Sequence, residues 1–362
     1  MIRVLMCSSD RNEKGGINSV IDQLMNHKWN KELQVSYLAT HKSGNVIQKI
    51  LFFLKSYITL FFLIKKDEFD VIHIHMSYKG SFFRKYMVAS LCKKYDKKII
   101  IHLHGSEFKK FFYSGSNKLK RKIIELFTIV DYTIALGEEW KDFIMSIAPK
   151  ANVIVINNSV KIPVEFKQEK NEITTFLFLG ALIKRKGVID LLNAAKRILD
   201  LGCDNFKILV AGSGVEENDL RSFCEKNGLI NKVDFLGWIN NDEKEVLLKK
   251  SDVLVLPSYN EGLPIAILEA MSYGLPIIST NVGSIDEAVI NNVNGFLFEP
   301  GNIELLKNYF LDFIVNDKKW YEFSEASRKI AKNKFADTKF FYNIEKLYFE
   351  LQEKVHPISN IK

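Results

Sequence analysis

The chain reads as an α/β protein built from two doubly wound parallel-sheet domains, and three observations lead to that class. Its 362 residues exceed the roughly 100 to 200 that one domain usually holds. Short apolar runs without alternation, such as VLVL at 253–256, recur between helical stretches, and strands of that kind are buried on both faces of a parallel sheet. The alternation pauses once, over KIPVEFKQEKNE at 161–172, which is polar, charged and contains Pro163, and then it restarts. The expected division is an N-terminal domain over 1–160, a linker over 161–172, a C-terminal domain over 173–335 and a closing helix over 336–362.

Taken in order, 2–8 is a first buried strand, and the loop DRNEKGG leads from it into a helix near 17–25. A second strand follows at 34–39. The segment 45–66 is strongly apolar and approaches the roughly 20 residues that a membrane span takes, but Lys55 near its middle is costly in a bilayer. It is therefore expected as a helix packed on the sheet. Strands at 71–75, 99–104, 132–135 and 153–156 alternate with helices around 82–95, 117–130 and 138–147. Beyond the linker, strands are expected at 174–179, 207–211, 233–236, 253–256, 276–280 and 295–298. From Asn302 to Lys354 the pattern is helical and rich in Phe, Tyr and Lys.

Composition excludes several classes. The four cysteines are scattered without a C-x-x-C pair, so neither a disulfide framework nor a zinc ribbon is suggested, and a reducing cytoplasm fits. The N-terminus runs from Met1 directly into a strand-like segment without the features of a secretion signal. A net charge of +8 points to an anionic partner, phosphate or a membrane surface. Nucleic acid is disfavoured, because no zinc-finger spacing, RNA-binding aromatic signature or long basic arm is present. Gly212-Ser213-Gly214 lacks the third glycine of a dinucleotide fingerprint, which argues against a nicotinamide enzyme.

The most informative stretch is SDVLVLPSYNEGLPIAILEAMSYGLPIISTNVG at 251–283. A buried strand ends there in a small polar turn, Gly262 lets backbone approach a ligand, and Pro264 suits the first position of a helix beginning near Leu263. The helix N-terminus would face the carboxyl edge of the sheet and suit a phosphate. Glu261 in the turn and Glu269 eight residues on would lie on the order of 10 Å apart. That span suits gripping two parts of an extended ligand such as a nucleotide sugar; a solvated loop residue and an ordinary helix former remain the alternative. His73 and His75 end one strand while His102 and His104 end another, each pair on one face. Four histidines can bind a metal, yet no carboxylate with ligand spacing joins them, and hydrogen-bonded strand-end histidines are commoner. No D-x-D pair occurs, so no metal or other cofactor is expected. Arg185 and Lys186 in IKRKG are then the natural cations for a departing phosphate, against the alternative of a solvated basic turn.

NEGLPIAILEA resembles the E-x7-E signature of the large retaining glycosyltransferase family often called family four, whose members have the GT-B fold of two Rossmann-like domains facing a central cleft. GALIKRKG at 180–187, AGSG at 211–214, VDFLGW at 233–238, HLHG at 102–105 and Gly15-Gly16 are similar to further family pieces, in family order over nearly the whole chain. The resemblance implies a retaining enzyme using a nucleoside diphosphate sugar. It gives Glu261 the sugar hydroxyls, Glu269 the ribose, Lys186 the diphosphate with Arg185 as its neighbour, and His104 a positioning role near the donor sugar. Gly16, Gly262, Leu263 and Pro264 would bring backbone to the donor, and Trp238 and Ile239 would hold the base, with a core aromatic as the alternative for Trp238. One departure stands out: many relatives carry arginine directly after the strand's glycine, where this chain has Ala181. A nucleotide-sugar epimerase or sugar phosphorylase on the same fold is the first rival, and a non-catalytic nucleotide-sugar-binding or scaffold protein the second.

FKKFFYSGSNKLKRK at 108–122 interleaves aromatics with Lys109, Lys110, Lys118, Lys120, Arg121 and Lys122, a mixture that suits a headgroup boundary as well as a solvated basic loop. Together with the apolar segment 45–66 it makes the N-terminal half the sticky side. The expected acceptor is a glycan or lipid-linked glycan in cell-surface polysaccharide synthesis, reached by a protein on the cytoplasmic face of an anionic membrane.

Overall fold

The computed structural model describes residues 1–13 and 15–353, which form two compact units. One comprises Met1–Asn158 together with the described residues from Thr338 on, and the other is Ser159–Asp337. Residues 354–362, the end of the expected closing helix, lie outside the described residues.

The first unit is a six-stranded, wholly parallel sheet of β1 (Ile2–Ser8), β2 (Leu33–Ala39), β3 (Val71–Met76), β4 (Lys98–Leu103), β5 (Tyr132–Ala135) and β6 (Val153–Val155), in the order β2-β1-β3-β4-β5-β6. Every residue of β3 is buried, as its unbroken apolar and histidine run requires in a sheet covered on both faces. Its helices are α1 (Gly16–Asn26), α2 (Val46–Lys65), α3 (Gly80–Lys94), α4 (Phe108–Tyr113), α5 (Asn117–Ile129) and α6 (Glu138–Ile147). The short α4 falls inside the segment expected only as a basic stretch.

Two expectations for this unit need correction. The apolar segment does form a helix, started by a capping box in which Asn45 and Gln48 satisfy each other's backbone N–H, but it is not covered as a sheet-packed helix would be. Only Phe53, Ser56, Leu60 and Ile64 are buried, so the helix rests on the core along a narrow edge. Conversely, the aromatics of 108–122 are mostly core: Phe108 and Phe112 are buried, and only Tyr113 stands clear of it.

The second unit repeats the plan with β7 (Thr174–Leu179), β8 (Phe206–Ala211), β9 (Val233–Gly237), β10 (Val253–Leu256), β11 (Ile277–Thr280) and β12 (Gly295–Phe298), parallel in the order β12-β11-β10-β7-β8-β9. Strand order reverses between β7 and β10, and ligands of open α/β sheets bind outside the carboxyl ends of strands at such a reversal. Helices α7 (Val188–Asp200), α8 (Glu217–Lys226), α9 (Asn241–Lys250), α10 (Ile265–Ser272), α11 (Ile303–Val315) and α12 (Asp317–Lys334) surround the sheet. The interval expected as a linker is fastened within this unit. Fully buried Asp252 accepts from Asn171 N at 2.9 Å and Thr175 N at 2.7 Å and pairs with Lys167 at 3.3 Å. Helix α13 (Asp337–Glu353) packs into the first unit, where Phe341 stacks on His27 at 3.6 Å and the buried Tyr348 hydroxyl lies 2.7 Å from His73 Nδ1.

Candidate active site

The carboxyl ends of β7 and β10 carry three of the groups the sequence singles out in the second unit, Arg185, Lys186 and Glu261. After β7 the chain makes a single 3-10 turn over Lys184–Lys186 and passes through Gly187 into α7. Gly187 has φ of 68°, and a Cβ there would sit 2.0 Å from the Pro257 carbonyl oxygen, so only glycine lets the basic turn lie against the loop after β10. Tyr259 N donates to Arg185 O at 2.7 Å and ties the two loops together. Across that seam Lys186 Nζ donates to Glu261 Oε1 at 2.5 Å, while Arg185 Nη1 donates to Asn260 O at 3.1 Å and lies 3.9 Å from Glu261 Oε2. Arg185, Lys186 and Glu261, up to 76 residues apart in the chain, thus form one cluster.

Glu261 is only 7 % exposed, buried where a ligand-gripping loop residue is expected to stand in solvent. The physical reason is the pair itself: a carboxylate can be taken out of water when a lysine meets it directly, and each holds the other in place. Gly283 closes the turn from the other side, with φ of 62° and space for no Cβ, which would lie 2.3 Å from Glu261 O. Ser284 N donates to Gly262 O at 2.9 Å.

Pro264 is the N-cap rather than the first helical residue; its ψ of 125° is extended and α10 begins at Ile265. Among the described residues no side chain caps this terminus, so its N–H groups and the positive end of the dipole remain directed at the turn. Leu263 is buried and fixes the entry, and Gly262 is partly exposed beside it. Four buried polar atoms at this place find no hydrogen-bond partner among the described residues: Ser258 Oγ, Asn260 Oδ1, Ser284 Oγ and Asp190 Oδ2. Buried polar groups are rarely left so, and these four, in the loops after β10 and β11 and the first turn of α7, are suited to a polar ligand. Asp190 is pushed up by burial and held down in part by the Tyr259 hydroxyl.

Glu269 stands apart from that cluster, on the body of α10, paired at 2.5 Å with Lys244 of α9. Burial raises its pKa and Lys244 opposes the rise. The sequence gives no sign of Lys244, because NNDEKEVLLKK reads as an ordinary surface helix and nothing in its spacing marks one lysine; Asp190, Ser258 and Ser284 are equally unmarked. Trp238 and Ile239 follow β9 at the sheet's edge, with Trp238 exposed. Gly212 and Gly214 serve loop packing, since Cβ atoms there would meet Gly180 O at 1.7 Å and Leu182 O at 2.1 Å.

In the first unit, Gly16 opens α1 beside Gly15, and both present bare backbone, with no described atom within 4 Å of an added Cβ. His104 follows β4; its Nε2 lies 2.9 Å from His75 Nδ1 and its ring stacks on His102 at 4.2 Å. His73, stacked on His75 at 4.5 Å, completes a cluster of four rings. Burial pulls His73 and His104 down to about 3 and holds His75 and His102 well below the ordinary range, so all four are neutral at neutral pH. Nitrogens of His73, His75 and His102 lie within 4.8 Å of one another, and several find no partner among the described residues. The rings are within 33° of parallel, which sends their in-plane lone pairs alongside one another instead of towards one ion.

Of the six basic residues assigned to a headgroup boundary, Lys110, Lys118 and Arg121 are exposed. The other three are engaged. Lys109 forms an ion pair with Glu139, and Lys120 and Lys122 lie over Phe112 and Tyr86 at 5.7 and 5.2 Å.

A parallel sheet with loops converging at its reversal point, a lysine–glutamate pair there and an uncapped helix terminus make a site suited to an anionic ligand. Residues 161–330 match the family described as Glycosyl transferases group 1, and residues 15–162 match Glycosyltransferase Family 4. The chain belongs to that family and is a glycosyltransferase of the GT-B fold. A UDP-Gal:alpha-D-GlcNAc-diphosphoundecaprenol alpha-1,3-galactosyltransferase of Escherichia coli is 31% identical over 318 residues, covering 82% of this chain and 80% of the relative. An uncharacterized 41.2 kDa protein in the cps region of Klebsiella pneumoniae is 29% identical, covering 92% of this chain and 96% of its own length. Among solved structures, Anabaena Alr3699/HepE in complex with UDP and glucose superposes with a TM-score of 0.76 at 18% identity, covering 97% of this chain and 100% of that one.

Proposed function

We propose that this glycosyltransferase moves a sugar from a nucleoside diphosphate donor, with retention of anomeric configuration, to a glycan or lipid-linked acceptor in cell-surface polysaccharide synthesis, working at the inner face of the membrane. The observation that carries the donor assignment is the Lys186–Glu261 pair beside the uncapped α10 terminus. Lys186, with Arg185 next to it, neutralises charge on the diphosphate as the bond from the anomeric carbon to the phosphate oxygen breaks, and α10 adds its dipole. Glu261, held in place by its lysine, accepts from sugar hydroxyls. Glu269 takes the ribose hydroxyls at the far end of the donor. The E. coli relative acts on a diphosphoundecaprenol-linked sugar, the Klebsiella relative comes from a cps region, and the Anabaena structure holds UDP, which together support a UDP-sugar and a lipid-linked acceptor.

The test is transfer from UDP-, GDP- and ADP-sugars by wild type and by Glu261→Gln and Lys186→Ala. A UDP-sugar should be the donor, and each variant should lose about 100- to 1,000-fold in kcat while still unfolding cooperatively. Either variant retaining near wild-type turnover at saturating donor removes the role assigned to it. Consumption of donor without any acceptor would favour an epimerase.

A further inference from the structure

Helix α2 leaves a row of large apolar side chains in solvent. Ile47, Ile50, Leu51, Leu54, Ile58 and Phe62 are 48% to 69% exposed. Their spacing of three and four residues puts them on one face, a stripe about 23 Å long at 1.5 Å per residue. Monomeric proteins seldom expose a contiguous apolar face of this extent unless something covers it. The helix is long and apolar enough to cross a membrane by length and composition alone. Its other edge, Phe53, Leu60 and Ile64, belongs to the core beneath it, and it bridges two strands of one sheet, so it cannot leave the domain to span a bilayer. Lying flat is what the fold permits.

The charges around the stripe select what covers it. Between Val46 and Lys66 there is no Asp or Glu, whereas Lys49, Lys55, Lys65 and Lys66 are all exposed. The next acid, Asp67, is already engaged by Arg3 and Lys97. Helix α3, which packs against α2, also exposes the apolar side chains of Phe83 and Met87. Two copies facing each other through this stripe would bring lysines together with no carboxylate between them. An anionic lipid surface answers both features: lysine stems reach outward to headgroup phosphates while the apolar side chains enter the acyl boundary.

We infer that α2 is an interfacial insertion helix, and that its exposed stripe seats the first unit in the surface of an anionic bilayer. This rests on the proposed membrane location and deepens it, replacing the basic segment at 108–122 with α2 as the principal contact.

The experiment is flotation of the full chain with phosphatidylcholine vesicles containing or lacking phosphatidylglycerol, beside a variant carrying Ile50→Asn, Leu54→Asn, Ile58→Asn and Phe62→Asn. Wild type should float with the anionic vesicles and keep part of its binding in high salt, and the variant should lose about tenfold or more. A Leu54→Trp variant gives a second reading that does not depend on the fourfold change: its fluorescence should shift to the blue with the anionic vesicles and be quenched by brominated lipid. Donor-induced thermal stabilisation of the fourfold variant should match wild type, which separates loss of attachment from loss of fold and from failure of the donor assignment. The inference is overturned if wild type stays at the bottom, if the fourfold variant floats equally, or if the fluorescence of the Leu54→Trp variant does not change. It is also overturned if wild type is a dimer in lipid-free buffer that the fourfold change makes monomeric, since a second copy would then be the cover.

Discussion

Side chains held in an unusual state give the sharpest tests at the scale of single residues. The four histidines of β3 and the β4 end, three of them buried and His104 half-buried, are neutral in the folded protein, whereas in the unfolded chain they take up protons near the ordinary 6.5. Below that pH the unfolded state binds more protons, so stability falls as pH drops from about 6.5 towards 3. Each such histidine costs about 1.4 kcal/mol per pH unit. Between pH 7.5 and 5.5, His73 and His104 alone should remove about 3 kcal/mol, read as a drop in the urea midpoint. A flat stability profile over that range would show that these histidines titrate in the folded protein as they do in the unfolded chain. Lys244 gives a second test: it pairs with Glu269, and if Glu269 takes the ribose as proposed, Lys244→Met should raise the KM for donor about tenfold with kcat little changed. A fall in kcat at unchanged KM would move Glu269 to the reacting end.

Elements set where those residues can stand, and the seam between the loops after β7 and β10 depends on one backbone conformation. Gly187→Ala adds a Cβ 2.0 Å from Pro257 O at a φ of 68°, and should cost about 2 to 3 kcal/mol while pushing Lys186 away from Glu261. Gly202→Ala is the control: its φ is 79° but nothing described lies within 4 Å, so it should cost only the backbone strain of about 1 to 2 kcal/mol, with transfer intact. Equal effects would mean that strain, not the seam, decides. Much of this is legible in the sequence. Unbroken β-branched runs announce the buried strands, and NEGLPIAILEA with IKRKG announces two loops of one site. Burial and pairing are not legible, because Glu261 meeting Lys186 and Glu269 meeting Lys244 are contacts across 75 and 25 residues that no local spacing encodes. The same limit explains 45–66 and 108–122: composition says that a helix is greasy or basic, while its orientation on the sheet says which side chains reach solvent.

The whole enzyme should work without a divalent metal. In the proposed mechanism, Lys186, Arg185 and the α10 dipole supply the charge that a D-x-D-bound ion would, so transfer should survive complete chelation by EDTA. Loss of activity that manganese restores would redirect attention to His73, His75 and His102. The placement of α13 has a consequence for how this chain comes into being. The unit that leaves the ribosome first also contains residues that leave it after the whole of the second: Ile344, Leu347, Tyr348 and Leu351 are buried in a domain whose strands end at Val155. During synthesis, which proceeds at about 5 to 20 residues per second, the second unit can close as soon as it emerges. Meanwhile the first waits, its sheet formed but one flank bare, until α13 arrives. A nonsense codon just after Asp337 therefore yields a protein with an intact donor-side domain and a permanently unfinished partner.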